Sequence, residues 1–156
     1  MIAVHRLAGT QRFNVLAALN AITHELVTVT NDAYINAQSV CELLRKVAAL
    51  GLRVPVTLVL DNARYQKCPL VQQLAEELGI ERLYLPTYSP NLNLIERRWK
   101  FVKKQVLTAK YYENFATFKT AISGCIADAP TKHKKKLDSL LTLRFQTFDK
   151  AQLLAA

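Results

Sequence analysis

The segment VTLVLDNARYQ constrains this chain more than any other. Val56 to Leu60 is an apolar run, broken only by Thr57, that reads as a buried strand, and it ends abruptly on the carboxylate of Asp61. Beyond an interval of 34 residues Glu96 stands at the start of an amphipathic, strongly basic helix in YLPTYSPNLNLIERRWK. The interval holds one helix, one strand and a turn. A strand end and a helix start can therefore bring two carboxylates to one place, as a metal-dependent phosphoryl-transfer site requires.

The elements around the pair follow from pattern. RFNVLAALN and ELVTVTN, separated by a turn near AITHE, form an antiparallel hairpin. Asn36 precedes AQSVCELLRKVAALG, where Val40, Leu43, Leu44, Val47 and Leu50 recur at helical spacing and Gly51 supplies a stop. Pro55 introduces the strand VTLVL. CPLVQQLAEELG is a helix with Pro69 near its start and Gly79 at its end. IERLYLP is a short strand cut off by Pro86. A long helix runs from about Asn93 to Leu107, with Ile95, Trp99, Val102 and Val106 as its apolar stripe and Glu96, Lys100, Lys103 and Lys104 on an adjacent face. A further helix covers ENFATFKTAISGCIADA. The tail KHKKKLDSLLTLRFQTF begins basic, with Lys132 to Lys136 as a solvated loop, and then turns apolar and packs back on the core.

This order implies an α/β fold, a mixed sheet with helices on its faces. At 156 residues, with 51% hydrophobic and 21% charged residues, the chain has the bulk of a single globular domain, 1–156. The net charge of +9 favours a polyanionic partner. Cys41, Cys68 and Cys125 have neither CxxC spacing nor a His partner, which indicates free thiols in a reducing compartment. No run is long enough to span a membrane, and MIAVHRLAGTQRF has no secretory apolar core, so the expected location is the cytoplasm.

Each carboxylate also has a structural reading. An Asp-Asn pair after a strand can simply open a turn. Asn93 and Glu96 have capping-box spacing, and Glu96–Lys100 fits a surface ion pair.

Taken together, LVLDNARYQ, LYLPTYSPNLNLIERRWKFVK, RFNVLAALN and LTLRFQTF resemble the bacterial insertion-sequence branch of the mariner-like DDE transposases, over nearly the whole chain. The resemblance implies an RNase H-like fold. By position, Asp61 corresponds to the second catalytic Asp and Glu96 to the final Glu. Tyr88, Ser89, Pro90, Asn93 and Ile95 match the motif around that Glu, and Asn62 and Ala63 match the residues after that Asp. It further implies two Mg²⁺ or Mn²⁺ ions, roughly 3.5–4 Å apart, serving cleavage of transposon ends and strand transfer into target DNA. Beside such a site Asn62, Arg97, Arg98, Lys100, Lys103 and Lys104 are expected to contact DNA. Trp99 is expected in the core.

The family's first catalytic Asp belongs to a strand upstream of the hairpin, and no acid occurs here before Glu25. Asp32 is the nearest substitute, but Asn31-Asp32 better serves the turn before the helix. The resemblance thus implies the C-terminal part of a transposase, apparently lacking the first strand. Such a part is expected to be inactive alone, to pair as a homodimer or with an upstream-frame transposase half, and to be associated with the nucleoid. The alternative is a non-catalytic module that binds DNA or inhibits an intact transposase.

Overall fold

The computed structural model describes residues 2–4, as backbone, together with 12–86, 92–108 and 110–144. Three strands, β1 (Ile2–Val4), β2 (Phe13–Leu19) and β3 (Leu26–Asn31), form an antiparallel sheet. Helix α1 (Ala37–Ala48) leads to β4 (Val56–Leu60), and α2 (Pro69–Glu77) crosses to β5 (Ile80–Tyr84), which pairs in parallel with β4. Three helices follow: α3 (Leu94–Val106), α4 (Phe115–Lys132) and α5 (Lys134–Leu140). The mixed α/β architecture is the one expected from the pattern. No helix among the described residues is long and apolar enough to cross a membrane.

The apolar run Val15–Leu19 of β2 has a direct cause. Successive strand residues point to opposite faces, and β2 is covered on both. Phe13 and Val15 pack with Trp99, Phe101 and Val102 of α3 and Phe118 and Ile122 of α4. Leu16 packs the other way, with Val40, Cys41, Leu43 and Leu44 of α1 and Val71 of α2. The molecule is thus layered helix, sheet, helix, with a core on each side of β2.

Local chemistry fixes the joints. Asn20 Oδ1 accepts from the amides of Ile22 and Thr23 and closes the β2–β3 turn. Asn36 and Ser39 cap α1 reciprocally. Gly51 and Gly79 end α1 and α2 at φ of 61° and 65°, where a side chain would be strained.

Four features depart from the sequence pattern. A short strand, β1, precedes the expected hairpin and covers only Phe13–Val15 of β2. Among the described residues the strands form two separate ladders, because neither β2 nor β3 bonds to β4. Helix α4 does not stop at Ala129 but continues through Pro130 to Lys132. The basic run beyond it is solvated, as expected, but it is helical rather than a loop, because Leu137 and Leu141 anchor α5 in the core.

Candidate active site

Strand β4 positions Asp61. Leu60 is buried and takes the last bond of the β4–β5 pairing, from the Leu85 amide at 2.9 Å. Asp61 follows at once, half-buried at the carboxyl end of the parallel ladder, where open α/β sheets gather their functional groups. Asn62 is exposed beside it. Tyr65, in a 3₁₀ turn over Arg64–Gln66, lies close enough to respond: burial, then the negative charge of Asp61, pushes its phenol pKa up.

Helix α3 positions Glu96, and a single side chain ties it to Asp61. Asn93 is the cap of α3, with Oδ1 accepting from the Ile95 amide at 3.3 Å. Its Nδ2 donates to Asp61 Oδ1 at 2.7 Å. Asn93 is itself buried. Glu96 lies in the first turn, three residues on, where the helix dipole favours an acid. The structure therefore brings the end of β4 and the start of α3 together, as the Asp-to-Glu interval requires. The sequence pattern showed Asn93 only as a cap and a motif match. A carboxamide has a donor as well as an acceptor, and the donor makes the bridge.

The basic residues of α3 divide into two sets. Lys100, Lys103 and Lys104 are exposed and share a face. Arg97 is half-buried and donates through Nη1 to the Thr142 carbonyl at 3.1 Å. Arg98 is a correction to the expected DNA-contacting face, because its side chain is completely buried. Its Nη2 donates to the Ile126 carbonyl of α4 at 3.3 Å, and its guanidinium packs against the Phe101 ring. Burial pulls its pKa below the ordinary arginine range. From that position Arg98 cannot touch a phosphate. Trp99, Val102 and Val106 are in the core as expected.

Asp32 is engaged in an ion pair. Both of its carboxylate oxygens accept from Lys119 of α4, at 2.9 and 2.8 Å. Asn31 serves the turn, accepting from the Ala33 amide and donating to the Tyr34 carbonyl. Tyr88, Ser89 and Pro90 lie outside the described residues.

Two carboxylates of hard oxygen donors suit Mg²⁺ or Mn²⁺, which take one or two protein carboxylates and leave positions for water and phosphate. Asp61 and Glu96 fit one such ion in kind. Among the described residues no three of His, Cys, Asp and Glu are grouped as a metal cage would need.

Residues 5–119 match the family model described as DDE superfamily endonuclease. The fold is similar to the catalytic domain of Mos1 mariner transposase (TM-score 0.52, 16% identity, covering 89% of this chain and 76% of that one). It is also similar to a chain in the cryo-EM structure of the simian T-cell lymphotropic virus intasome in complex with PP2A regulatory subunit B56 gamma (TM-score 0.53, 14% identity, 73% of this chain). This chain spans only 41% of the length of the latter. No curated protein sequence matches. The likeness to these structures establishes the fold, an RNase H-like mixed α/β arrangement.

Proposed function

The chain belongs to the DDE superfamily endonucleases, and from that premise we propose that it is the catalytic-domain portion of a bacterial insertion-sequence transposase. Its substrates are DNA phosphodiesters, at transposon ends and at target sites. The observation that carries this reading is the Asn93 bridge, which holds Asp61 to the helix start that bears Glu96.

In this reading Asp61 and Glu96 hold Mg²⁺ or Mn²⁺, which would neutralise charge building on attacking and leaving oxygens of an in-line displacement at phosphorus. Asn62 faces solvent next to Asp61 and is available to the sugar-phosphate chain. Lys100, Lys103 and Lys104 supply positive charge along α3, giving affinity without reading sequence. Arg97, half-buried and tethered to the Thr142 carbonyl, joins these lysines in the phosphate-facing group. Arg98 supports α3 from within.

The chain acts as one domain over 1–156, in the bacterial cytoplasm at the nucleoid. Asp61 and Glu96 are two of the three carboxylates that the chemistry uses. The isolated chain is accordingly expected to cut DNA little or not at all unless a partner supplies the third carboxylate.

The test is cleavage of end-containing duplex DNA by the purified chain with Mg²⁺ or Mn²⁺. Negligible cutting with salt-sensitive DNA binding agrees with the proposal. Substantial Mg²⁺-dependent cutting that Asp61→Ala abolishes would overturn the inactivity while supporting the site. Metal-independent binding unaffected by Asp61→Ala and Glu96→Ala, with no activity on complementation, would favour a non-catalytic DNA-binding or inhibitory module.

A further inference from the structure

Resting on the reading of Asp61 as a metal ligand, we infer that Asn93 is a positioning residue that fixes the Asp61 carboxylate relative to Glu96. Two independent bonds converge on its carboxamide. Oδ1 takes the Ile95 amide at 3.3 Å, and Nδ2 gives to Asp61 Oδ1 at 2.7 Å. The reverse orientation would set oxygen against carboxylate and NH₂ against N–H, so the surroundings specify the amide's direction. Asn93 is 8% exposed, which removes most competition from water for either bond.

The residue type suits both tasks at once. Ser or Thr caps a helix as Asn does, but a hydroxyl on Cβ falls short of a carboxylate that the longer amide just reaches. Asp would also cap, yet it would set a second carboxylate against Asp61. Only the carboxamide both accepts from the helix and donates to the acid. Asp61 and Asn93 are 32 positions apart on different elements. Rotating the Asp61 carboxylate therefore means breaking a bond to the helix that also presents Glu96. Groups bonded to a metal-ligating carboxylate from outside the coordination shell orient it, and their loss typically weakens metal binding 10–100-fold.

The experiment measures Mn²⁺ affinity of the metal-free full chain by calorimetry for wild type, Asp61→Asn and Asn93→Ser, together with ¹H–¹⁵N spectra of each. Asn93→Ser is expected to keep the amide pattern of the first turn of α3 and to weaken Mn²⁺ binding about 10- to 100-fold. In the Asp61→Asn spectrum the Asn93 side-chain NH₂ pair is expected to move, reporting its lost partner without any metal present. Wild-type Mn²⁺ affinity in Asn93→Ser, alongside a loss in Asp61→Asn, overturns the positioning role and leaves the proposed function intact. An Asn93 NH₂ pair unmoved by Asp61→Asn overturns it as well. Unchanged Mn²⁺ affinity in Asp61→Asn overturns the metal reading itself and the inference with it.

Discussion

Arg98 and Pro130 are joined through one carbonyl. Proline has no amide hydrogen, so Pro130 leaves the Ile126 oxygen, four residues back in α4, without its helical donor. Arg98 Nη2 supplies the missing bond at 3.3 Å. A helix that would otherwise end before Pro130 thus continues to Lys132, and a charge that would otherwise face solvent is drawn inside. The exchange is not cost-free, since Nε and Nη1 of Arg98 have no hydrogen-bond partner among the described residues.

The two residues should therefore be coupled in stability. Arg98→Met removes a desolvated charge but strands the Ile126 carbonyl, a loss of about 1–3 kcal/mol in itself. Pro130→Ala restores a donor to that carbonyl, which helps most when Arg98 is gone. Urea unfolding of both single variants and the double should show Pro130→Ala more favourable in the Arg98→Met background than in wild type, by about 1 kcal/mol. Additive effects would mean that the two residues do not share that oxygen.

DNA binding should separate buried from exposed cations. Each of Lys100→Ala, Lys103→Ala and Lys104→Ala is expected to reduce the slope of log K against log salt by about 0.9. Arg98→Met should leave the slope unchanged, because its charge is enclosed between α3 and α4. A lower slope in the Arg98 variant would place that side chain at the DNA after all.

Asp32 should prove irrelevant to metal. Its pair with Lys119 is largely solvated, so Asp32→Asn is expected to cost no more than about 1 kcal/mol. Mn²⁺ affinity should match wild type in the same variant. A ten-fold loss would make Asp32 a ligand and require Lys119 to release it.

Acid should loosen the docking of α5 on the β2–β3 turn. Asp138 accepts from Lys134 at 3.0 Å and pairs with His24 Nδ1 at 3.1 Å. The Lys134 bond foremost, with smaller help from His24, holds its carboxyl below the usual carboxylate range. A carboxylate whose folded pKa is depressed contributes stability that is complete above its unfolded value, about 3.9, and is lost as pH falls through the lowered folded value. Melting temperature should decline below about pH 4, and Asp138→Asn should flatten part of that decline. The difference will be small, since Asp138 stands in water. Identical pH profiles would show that the carboxylate contributes nothing there.

Much of this arrangement is legible in the sequence because it rests on local signals. Periodicity marks α1 and α3, glycine and proline mark the ends of α1 and α2, and the apolar run Val15–Leu19 of β2 reflects cover on both faces. The Asp61-to-Glu96 interval anticipates how β4 and α3 meet. What escapes is non-local. Nothing near Arg98 in sequence announces a freed carbonyl on α4, and a basic run reads as solvated by default. The same carbonyl hides the true end of α4, since Pro130 ordinarily stops a helix. The bridge from Asn93 to Asp61 escapes for a related reason: capping accounts for the residue, so its second half goes unread. Strand β1 is too short, at three residues, to leave a pattern.

Asp61 and Glu96 are proposed to share a divalent ion. Fe²⁺ bound in place of Mg²⁺, with ascorbate and peroxide, cuts the polypeptide next to wherever the ion sits. Mapping those cuts in the full chain should show two clusters, one around Asp61 and one around Glu96, both lost in Asp61→Asn and in Glu96→Gln. Cuts confined to one segment, or an unchanged pattern in either variant, would contradict the shared site.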